Sequence, residues 1–210
     1  MDKKKVDAFW SKRAKIEDPR VATHFKKDDT HVYDLELIRK YTNPNSDILD
    51  LGCGTCYLAN ELATEVHYIK AVDKYPEFLK HCLTVPNLET LASDVLDYTD
   101  TRKYDLILLF GVVMYFSEED TQKIYSMCRN MLKPQGKLIV KHQCGVNEDV
   151  AIDNYSPTIG DTYYAVYKHV DKDKKLLEQY FGVDVVDIYP PRLNPWPNTH
   201  FYAFIGTNET

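Results

Sequence analysis

A short glycine-containing segment carries the clearest chemical signal in this 210-residue sequence. Residues 50–56 (DLGCGTC) join an apolar run typical of a strand to a stretch with helical character. Glycine at such a junction lets the backbone turn sharply, and its missing Cβ lets a ligand approach the main-chain N–H groups. We therefore expect Asp50, Gly52, Cys53 and Gly54 to contact a nucleotide-like ligand.

Further candidate contacts follow the next three predicted strands. Asp73 closes the second strand, near the offset of about 20 residues from the glycine loop at which a carboxylate accepts hydrogen bonds from a ribose. Asp94-Val95 follows the third strand and Phe110-Gly111 follows the fourth. Each position alone is equally well explained as a turn or helix cap. Because the carboxyl ends of parallel strands meet at one edge of a sheet, all of them together predict a single binding crevice.

The five cysteines include a C-x-x-C pair, Cys53 and Cys56. A zinc site needs a second pair at similar spacing, which the other three cysteines do not supply. An iron–sulfur cluster needs more closely spaced thiolates. We therefore expect reduced thiols and no metal site.

The elements that must position the crevice alternate between strand and helix signals, as in proteins with a parallel sheet. Strands are predicted over residues 47–51, 66–72, 88–92, 104–110, 137–141, 183–189 and 201–205. Helices are predicted over residues 6–16, 32–41, 57–64, 76–82, 118–131 and 171–180. Residues 145–169, which are rich in tyrosine, show no clean period.

Composition excludes several classes of protein. A hydrophobic fraction of 44% and a charged fraction of 28% are those of an ordinary globular chain. The longest apolar run, residues 106–116, is about half as long as a membrane span. A net charge of −6 without a basic stripe argues against a general nucleic-acid binder. Because residues 1–7 are charged and no apolar segment follows, we expect no secretory signal and a cytoplasmic location, with neither nucleic acid nor membrane as a partner.

The motifs together resemble those of class I S-adenosylmethionine-dependent methyltransferases. Residues 48–56 (ILDLGCGTC) are similar to the family's first motif, D/E-x-G-x-G-x-G, with Cys56 where a third glycine is common. Residues 104–107 and 131–137 are similar to the family's fourth strand and to the turn before its fifth. The resemblance covers about residues 47–141 and, more weakly, the last two strands.

The resemblance implies an α/β fold: a Rossmann-like, seven-stranded, mostly parallel sheet with helices on both faces and an antiparallel last strand. It implies S-adenosylmethionine as cofactor, with the glycine loop at its methionine part, Asp73 at its ribose and Asp94 at its adenine amine. Residues 1–45 would form an N-terminal helical cap and residues 46–210 the methyltransferase domain. Residues 9–14 (FWSKRA) are similar to the entry helix of many small-molecule members, so Arg13 could face the cofactor carboxylate; a solvated arginine is the simpler alternative.

Methyl transfer to a hydroxyl benefits from a general base, and His142 is the first candidate. It ends the fifth predicted strand, and an unperturbed imidazole has a pKa of about 6.5. His200, at the start of the last strand, is the second candidate. Tyr115 is a candidate for the wall of the methyl channel. A hydrogen-bonded histidine at a strand end and a core tyrosine are the plain alternatives.

The acceptor is expected to be a small molecule that binds at residues 145–169 and 190–200. Lys141 and Arg192, with the two histidines, would form a local cationic cluster that holds a phosphate or carboxylate. The general look is closest to bacterial polysaccharide-tailoring enzymes. This favours a hydroxyl or phosphoryl oxygen of a sugar, or of a sugar-linked phosphate ester, as the methylated atom.

Other functions compete with this interpretation. A nicotinamide dehydrogenase normally has G-x-G-x-x-G, whereas Tyr57 occupies the third glycine position. An aminopropyl transferase would have a glycine- and acid-rich loop, which is not seen. A catalytically silent partner subunit that binds S-adenosylmethionine, and a methyltransferase acting on a macromolecule, remain open alternatives.

Overall fold

The computed structural model describes residues 3–23, 30–156, 161–194 and 196–209. The helices are α1 (Lys3–Arg13), α2 (Pro19–Thr23), α3 (His31–Arg39), α4 (Tyr57–Leu62), α5 (Pro76–Leu79), α6 (Glu118–Met131) and α7 (Val170–Leu177). The strands are β1 (Asp47–Leu51), β2 (Tyr68–Asp73), β3 (Leu88–Ala92), β4 (Tyr104–Phe110), β5 (Leu132–Gly145), β6 (Val150–Ser156), β7 (Asp161–Tyr167), β8 (Gly182–Asp187) and β9 (Thr199–Thr207).

Seven of these strands form one sheet in the order β3-β2-β1-β4-β5-β9-β8. The pairs from β3 to β5 are parallel, whereas β9 is antiparallel to both of its neighbours. The Rossmann-like sheet with an antiparallel last strand, predicted from the sequence, is therefore confirmed. β6 and β7 form a separate antiparallel hairpin.

Strand β4 lies in the middle of the sheet and explains where the core sits. Ile107 and Leu109 pack on the side of α6 and α7, whereas Leu106 and Leu108 pack on the side of α3 and α4. All four side chains are fully buried. The continuous apolar run of β4 thus belongs to a strand that is covered on both faces.

Helices α1 and α2 and the hairpin lie against the carboxyl edge of the sheet. Phe9 of α1 packs edge-to-face on Tyr163 of β7, with ring centroids 5.6 Å apart. Thr23 of α2 forms a 2.9 Å hydroxyl hydrogen bond with Thr55 of the glycine loop. These contacts hold the N-terminal segment over the loop. The division at residue 45 into a cap and a domain stays a prediction.

Two parts of the chain differ from the expectation. Strand β5 runs from Leu132 to Gly145, because β9 pairs with it as far as Gly145. Residues 145–169, which show no clean period, contain the hairpin β6–β7. Every second residue of β7 from Tyr163 to Tyr167, with Ala165 between them, packs into a small apolar cluster. Residues 157–160 of this predicted acceptor segment lie outside the described residues. No helix in the described ranges is long and apolar enough to cross a membrane.

Candidate active site

The glycine loop turns through left-handed backbone conformations. Gly52, Gly54 and Cys56 have φ values of 79°, 54° and 59°. Glycine adopts such angles without strain, whereas Cys56 is a non-glycine residue held there at the start of α4. The N–H groups of Gly52 and Cys53 both donate to the carbonyl oxygen of Val72, at 2.8 and 3.0 Å. The loop is thereby fixed to the end of β2.

Asp73 ties this loop to the segment after β2. Its Oδ2 accepts from Gly54 N–H at 2.9 Å, and its Oδ1 accepts from Tyr75 N–H at 2.9 Å. Burial raises the pKa of Asp73, although these backbone donors oppose the shift. Burial and the nearby charge of Asp73 raise the pKa of Asp50 to about 7. Two carboxylates with raised pKa values thus stand side by side at the loop.

The next two strand ends complete the crevice. Asp94 accepts from Leu96 N–H at 3.1 Å and so caps the short turn that begins at Val95. Gly111 follows β4 with a φ of 69°, and a Cβ built there would meet nothing within 4 Å. Its N–H donates to the carbonyl of Lys141 at 2.7 Å. Open space therefore lies beside Gly111.

A cavity of about 570 Å³ joins these strand ends. Its volume falls within the range of about 300–1,000 Å³ that is usual for small-molecule sites. Nine of the predicted cofactor residues line it: Asp50, Gly52, Cys53, Gly54, Asp73, Asp94, Val95, Phe110 and Gly111. Tyr115, Lys141, His142 and Arg192, predicted for the acceptor side, line the same cavity.

Arg13 lies elsewhere. Its side chain is buried and donates to the carbonyl oxygens of Ala22, at 2.7 Å, and Val21. The guanidinium also lies over the ring of Phe9, 5.5 Å from its centroid. The residue joins α1 to α2 and is buried, so it is not a solvated side chain. It is not among the described residues that line the cavity, and its contact with the cofactor carboxylate stays a prediction.

Lys141 belongs to a buried polar network. Its Nζ donates to Asp34 Oδ2 at 2.6 Å and to the hydroxyl of Tyr189 at 2.7 Å, and that hydroxyl donates to Asp34 Oδ1 at 2.7 Å. The ammonium also lies 4.6 Å from the ring centroid of Phe110. The positive charge expected for an acceptor phosphate is thus already neutralised by a carboxylate.

His142 is 2% exposed and pairs with Asp173 of α7, at 2.8 Å between Nε2 and Oδ2. Burial lowers the pKa of His142, but the charges of Cys144 and Asp173 and their hydrogen bonds outweigh it and raise the pKa to about 10. The imidazole is therefore protonated at neutral pH. This differs from the expectation of a neutral imidazole that takes a proton from a hydroxyl.

The remaining acceptor-side candidates divide between the cavity and the surface. Tyr115 is half-buried, and its hydroxyl lies 3.3 Å from that of Tyr163. Arg192 is exposed on the cavity wall. His200 pairs with Asp187 at 2.7 Å and is not among the described residues that form this wall. The four cationic groups therefore do not form one cluster.

Residues that sequence reasoning missed come from the N-terminal and C-terminal elements. They are Trp10, Asp34, Tyr163, Asp173 and Tyr189. All except Asp173 line the cavity. The apolar face of residues 171–180 predicted the helix that carries Asp173, but no local pattern indicates which strand residue this carboxylate meets.

The cysteines also differ from the expectation. Cys56 and Cys82 are paired as a disulfide, with Cα atoms 5.1 Å apart. The segment after α5 is held beside α4, since the side chain of Asn60 donates to the carbonyl of His81 and accepts from Leu83 N–H. This contradicts the prediction that all five thiols are reduced. Cys53 Sγ lies 3.8 Å from Cys56 Sγ, and the three cysteines outside the disulfide are free thiols.

The residues of the cavity fit S-adenosylmethionine. Carboxylates stand at the ends of β1 and β2 and after β3, where they match the amine and hydroxyl donors of an aminoacyl nucleoside. Gly111 faces open space, whereas a Cβ at Gly52 would clash with Val112 Cγ2, so glycine is required there by packing. When bound, this cofactor supplies a methyl group on a positively charged sulfur.

Comparison with known proteins agrees with this fit. Residues 48–136 match a family described as a methyltransferase domain. A carboxy-S-adenosyl-L-methionine synthase of Yersinia enterocolitica is 19% identical over 75% of the chain, and a malonyl-[acyl-carrier protein] O-methyltransferase of Ilyobacter polytropus is 25% identical over 66%. The matched segments span only 64% and 52% of those two relatives.

A solved structure extends the likeness to nearly the whole fold. The Haemonchus contortus phosphoethanolamine N-methyltransferase 1, in complex with phosphoethanolamine and S-adenosylhomocysteine, superposes with a TM-score of 0.73 at 16% identity. The superposition covers 98% of this chain and 49% of that protein. Residues 48–136 match the methyltransferase-domain family, and the sheet order and the glycine loop are similar to those of class I S-adenosylmethionine-dependent methyltransferases; these findings support the cofactor predicted from the sequence.

Proposed function

We propose that this protein transfers the methyl group of S-adenosylmethionine to an oxygen of a small acceptor molecule. The observation that carries the proposal is one cavity in which the cofactor residues and the acceptor-side residues share a wall. Alignment of donor and acceptor in one enclosed site can itself contribute several kcal/mol to such a displacement.

The covering of the cavity favours a small acceptor over a macromolecule. Trp10 of α1, Tyr163 of the hairpin and Trp196 all line it. The rings of Trp10 and Tyr115 meet edge-to-face at 5.8 Å between centroids. Aromatic walls from separate elements enclose a ligand of limited size, which a folded protein or a tRNA exceeds.

Within this proposal, the acceptor is a sugar or a sugar-linked phosphate ester, and the methylated atom is a hydroxyl or phosphoryl oxygen. Arg192 is exposed on the wall and forms no ion pair with a carboxylate of the described residues, so its guanidinium can hold a phosphate in a bidentate way. A phosphoryl oxygen is already anionic and needs no general base, which suits a site whose histidine is protonated. The role in polysaccharide modification and the cytoplasmic location rest on the sequence alone.

The test is a screen for methyl transfer from labelled S-adenosylmethionine. Sugar phosphates, nucleotide sugars and simple phosphate esters would be compared with protein and tRNA fractions. We expect label in the small phosphate esters, and we expect Asp73→Ala to weaken S-adenosylhomocysteine binding at least about tenfold, because a charge-assisted pair of hydrogen bonds is lost. Label confined to macromolecules would refute the small acceptor. Tight cofactor binding without transfer to any fraction would favour the silent partner subunit.

A further inference from the structure

His142 and Asp173 form a buried ion pair, and binding of the methyl donor does not require such a pair. His142 comes from the carboxyl end of β5 and Asp173 from α7, 31 residues further along the chain. His142 Nε2 lies 2.8 Å from Asp173 Oδ2, and both residues are less than 10% exposed. A buried ion pair costs desolvation energy, which is offset only by good geometry and further hydrogen bonds.

The imidazole is held on two sides, and its carboxylate partner has a further contact. Asp173 fixes the Nε2 edge, and the ring of Phe204 stacks on the imidazole face with centroids 5.6 Å apart and planes 28° apart. Cys144 Sγ lies 3.8 Å from the same Asp173 oxygen. The ring can therefore neither rotate freely nor leave the carboxylate without repacking β9.

One polar atom of this arrangement has no partner. Nδ1 of His142 is buried and forms no hydrogen bond within the part of the chain that the structure describes. A buried polar atom left unpaired costs about 1–3 kcal/mol, and more when it is charged. His142 is among the residues that line the cavity. We therefore consider a ligand bound there as the partner that Nδ1 lacks.

The titratable groups around the imidazole favour its charged form. The carboxylate is that of Asp173 on α7. Cys144 lies on the same strand as His142; burial raises the pKa of its thiol, and the charge of His142 opposes this shift. On α6, burial raises the pKa of Tyr125 and Cys128 well above their usual values, so both stay neutral. Phe204 of β9 adds no charge. Among the described residues, Asp173 is therefore the one carboxylate that stabilises the imidazolium, together with the electrostatic contribution of Cys144.

We propose that Asp173 is a positioning residue that keeps His142 as an imidazolium, whose Nδ1–H donates a hydrogen bond to an anionic oxygen of the acceptor. This inference rests on the proposed function and specifies the acceptor class: a molecule with a phosphate or a carboxylate group. In this role His142 binds and orients the acceptor, and it takes no proton from it. Donation from a charged nitrogen to an anion is among the stronger hydrogen bonds in proteins.

The experiment measures anion binding to the full chain saturated with S-adenosylhomocysteine, by nuclear magnetic resonance of ¹⁵N-labelled histidine rings. The probes are dimethyl phosphate and acetate, whose charge does not change between about pH 6 and pH 9. Binding of the phosphate probe alone would identify a phosphate acceptor, and binding of acetate alone would identify a carboxylate acceptor. Either result supports the inference.

The decisive variant is Asp173→Asn. Without the carboxylate the imidazolium loses its proton at lower pH, so probe affinity near pH 8.5 should fall at least about tenfold relative to the wild type and recover near pH 6. His142→Asn should lose the affinity at both pH values. The matched control is Asp187→Asn, which removes the carboxylate of another His–Asp pair, at His200 outside the cavity wall. It should leave probe binding unchanged.

Three results would overturn the inference. One is a His142 ring in the wild-type protein that titrates near the ordinary value of about 6.5, a measurement that needs no variant. Another is an Asp173→Asn protein that binds the probes like the wild type near pH 8.5. The third is a stoichiometric metal ion, since His142, Cys144 and Asp173 place ligand atoms within 4.8 Å of one another. Failure of the proposed function is separate, because it shows as absent methyl transfer even when His142 binds anions as expected.

Discussion

Asp50 and Asp73 stand next to each other at the glycine loop, yet their surroundings differ. Asp73 accepts two backbone N–H bonds, whereas burial and the charge of Asp73 act on Asp50 in the same direction and raise its pKa to about 7. Two neighbouring carboxylates in a dry site do not easily carry charge together. Asp50 is thus the group at the site whose charge changes near neutral pH.

This difference predicts a pH dependence of cofactor binding. Below pH 7 Asp50 is protonated, and above pH 7 it is ionised and attracts the positive charges of S-adenosylmethionine. Affinity should therefore rise between about pH 6 and pH 8, by at most about tenfold per pH unit. Calorimetry at several pH values checks this. Asp50→Asn should bind more weakly and with a flat profile; a wild-type profile that is equally flat would contradict the assignment.

The same group predicts the stability of the protein without cofactor. The pKa of Asp50 is higher in the folded chain than the usual value of about 3.9 in an unfolded chain, so protonation favours the folded state. That contribution is present below about pH 4 and is lost as the pH rises to about 7. Over this window the free energy of unfolding of Asp50→Asn should fall less than that of the wild type in urea titrations.

Among the elements, α3, β5 and the segment after β8 are joined by one buried network. Lys141 of β5 donates to Asp34 of α3 and to Tyr189, and all three side chains are less than 10% exposed. The network fixes the position of three cavity-lining residues from distant parts of the sequence. The network stabilises the fold only when all of its members are present, because removing one partner leaves a buried charge unpaired.

Lys141→Met should therefore lower the free energy of unfolding by about 3–5 kcal/mol, since Asp34 would lose its cation. The double variant Lys141→Met with Asp34→Asn should recover much of that loss, because no unpaired charge remains. Chemical denaturation measures both. The matched control is Arg39→Met, which breaks the exposed ion pair with Glu65 and should cost far less. Equal losses for Lys141→Met and the control would show that the network does not stabilise the fold.

The sequence predicted elements well where the local signals agree. Strand β4 is apolar throughout, and α6 begins where Ser117 accepts the N–H of Asp120, with three acidic residues in its first turn. The sequence also predicted which residues line the cavity on its cofactor side, because they lie at successive strand ends. It did not predict the acceptor side, because Asp34, Asp173 and Tyr189 reach the site only through tertiary packing. Likewise, no length or turn signal in the sequence marked β6 and β7 as strands, although Tyr163, Ala165 and Tyr167 pack on one face of the hairpin.

For the whole molecule, charge is distributed in a way that distinguishes cofactor from product. The chain has a net charge of −6. On the cavity wall, lysines pair with Asp7, Asp94 and Asp34, whereas Asp50 and Asp73 at the glycine loop form no ion pair with a basic group of the described residues. S-adenosylmethionine has a positively charged sulfur, whereas S-adenosylhomocysteine has a neutral one. The carboxylates of Asp50 and Asp73 therefore favour the methylated form and help the product to leave.

Salt should weaken this preference. Screening shortens the range of charge interactions from about 10 Å at 0.1 M salt to about 3 Å at 1 M. The ratio of the dissociation constants, product over cofactor, should fall as sodium chloride is raised across this range, whereas the affinity for S-adenosylhomocysteine should change little. Parallel titrations with both ligands test it. A ratio that is insensitive to salt would show that contacts, and not the field, distinguish the two ligands.

The position of β9 has a consequence for how the chain is made. In the described sheet β8 pairs only with β9, and β9 lies between β8 and β5 although it follows both of them along the chain. Until β9 emerges from the ribosome, the edges of β5 and β8 are unpaired, and such edges promote association between chains. A nascent or truncated chain that lacks residues 199–207 should therefore depend on chaperones. The full chain closes the sheet in one late step of long-range pairing, which is intrinsically slow.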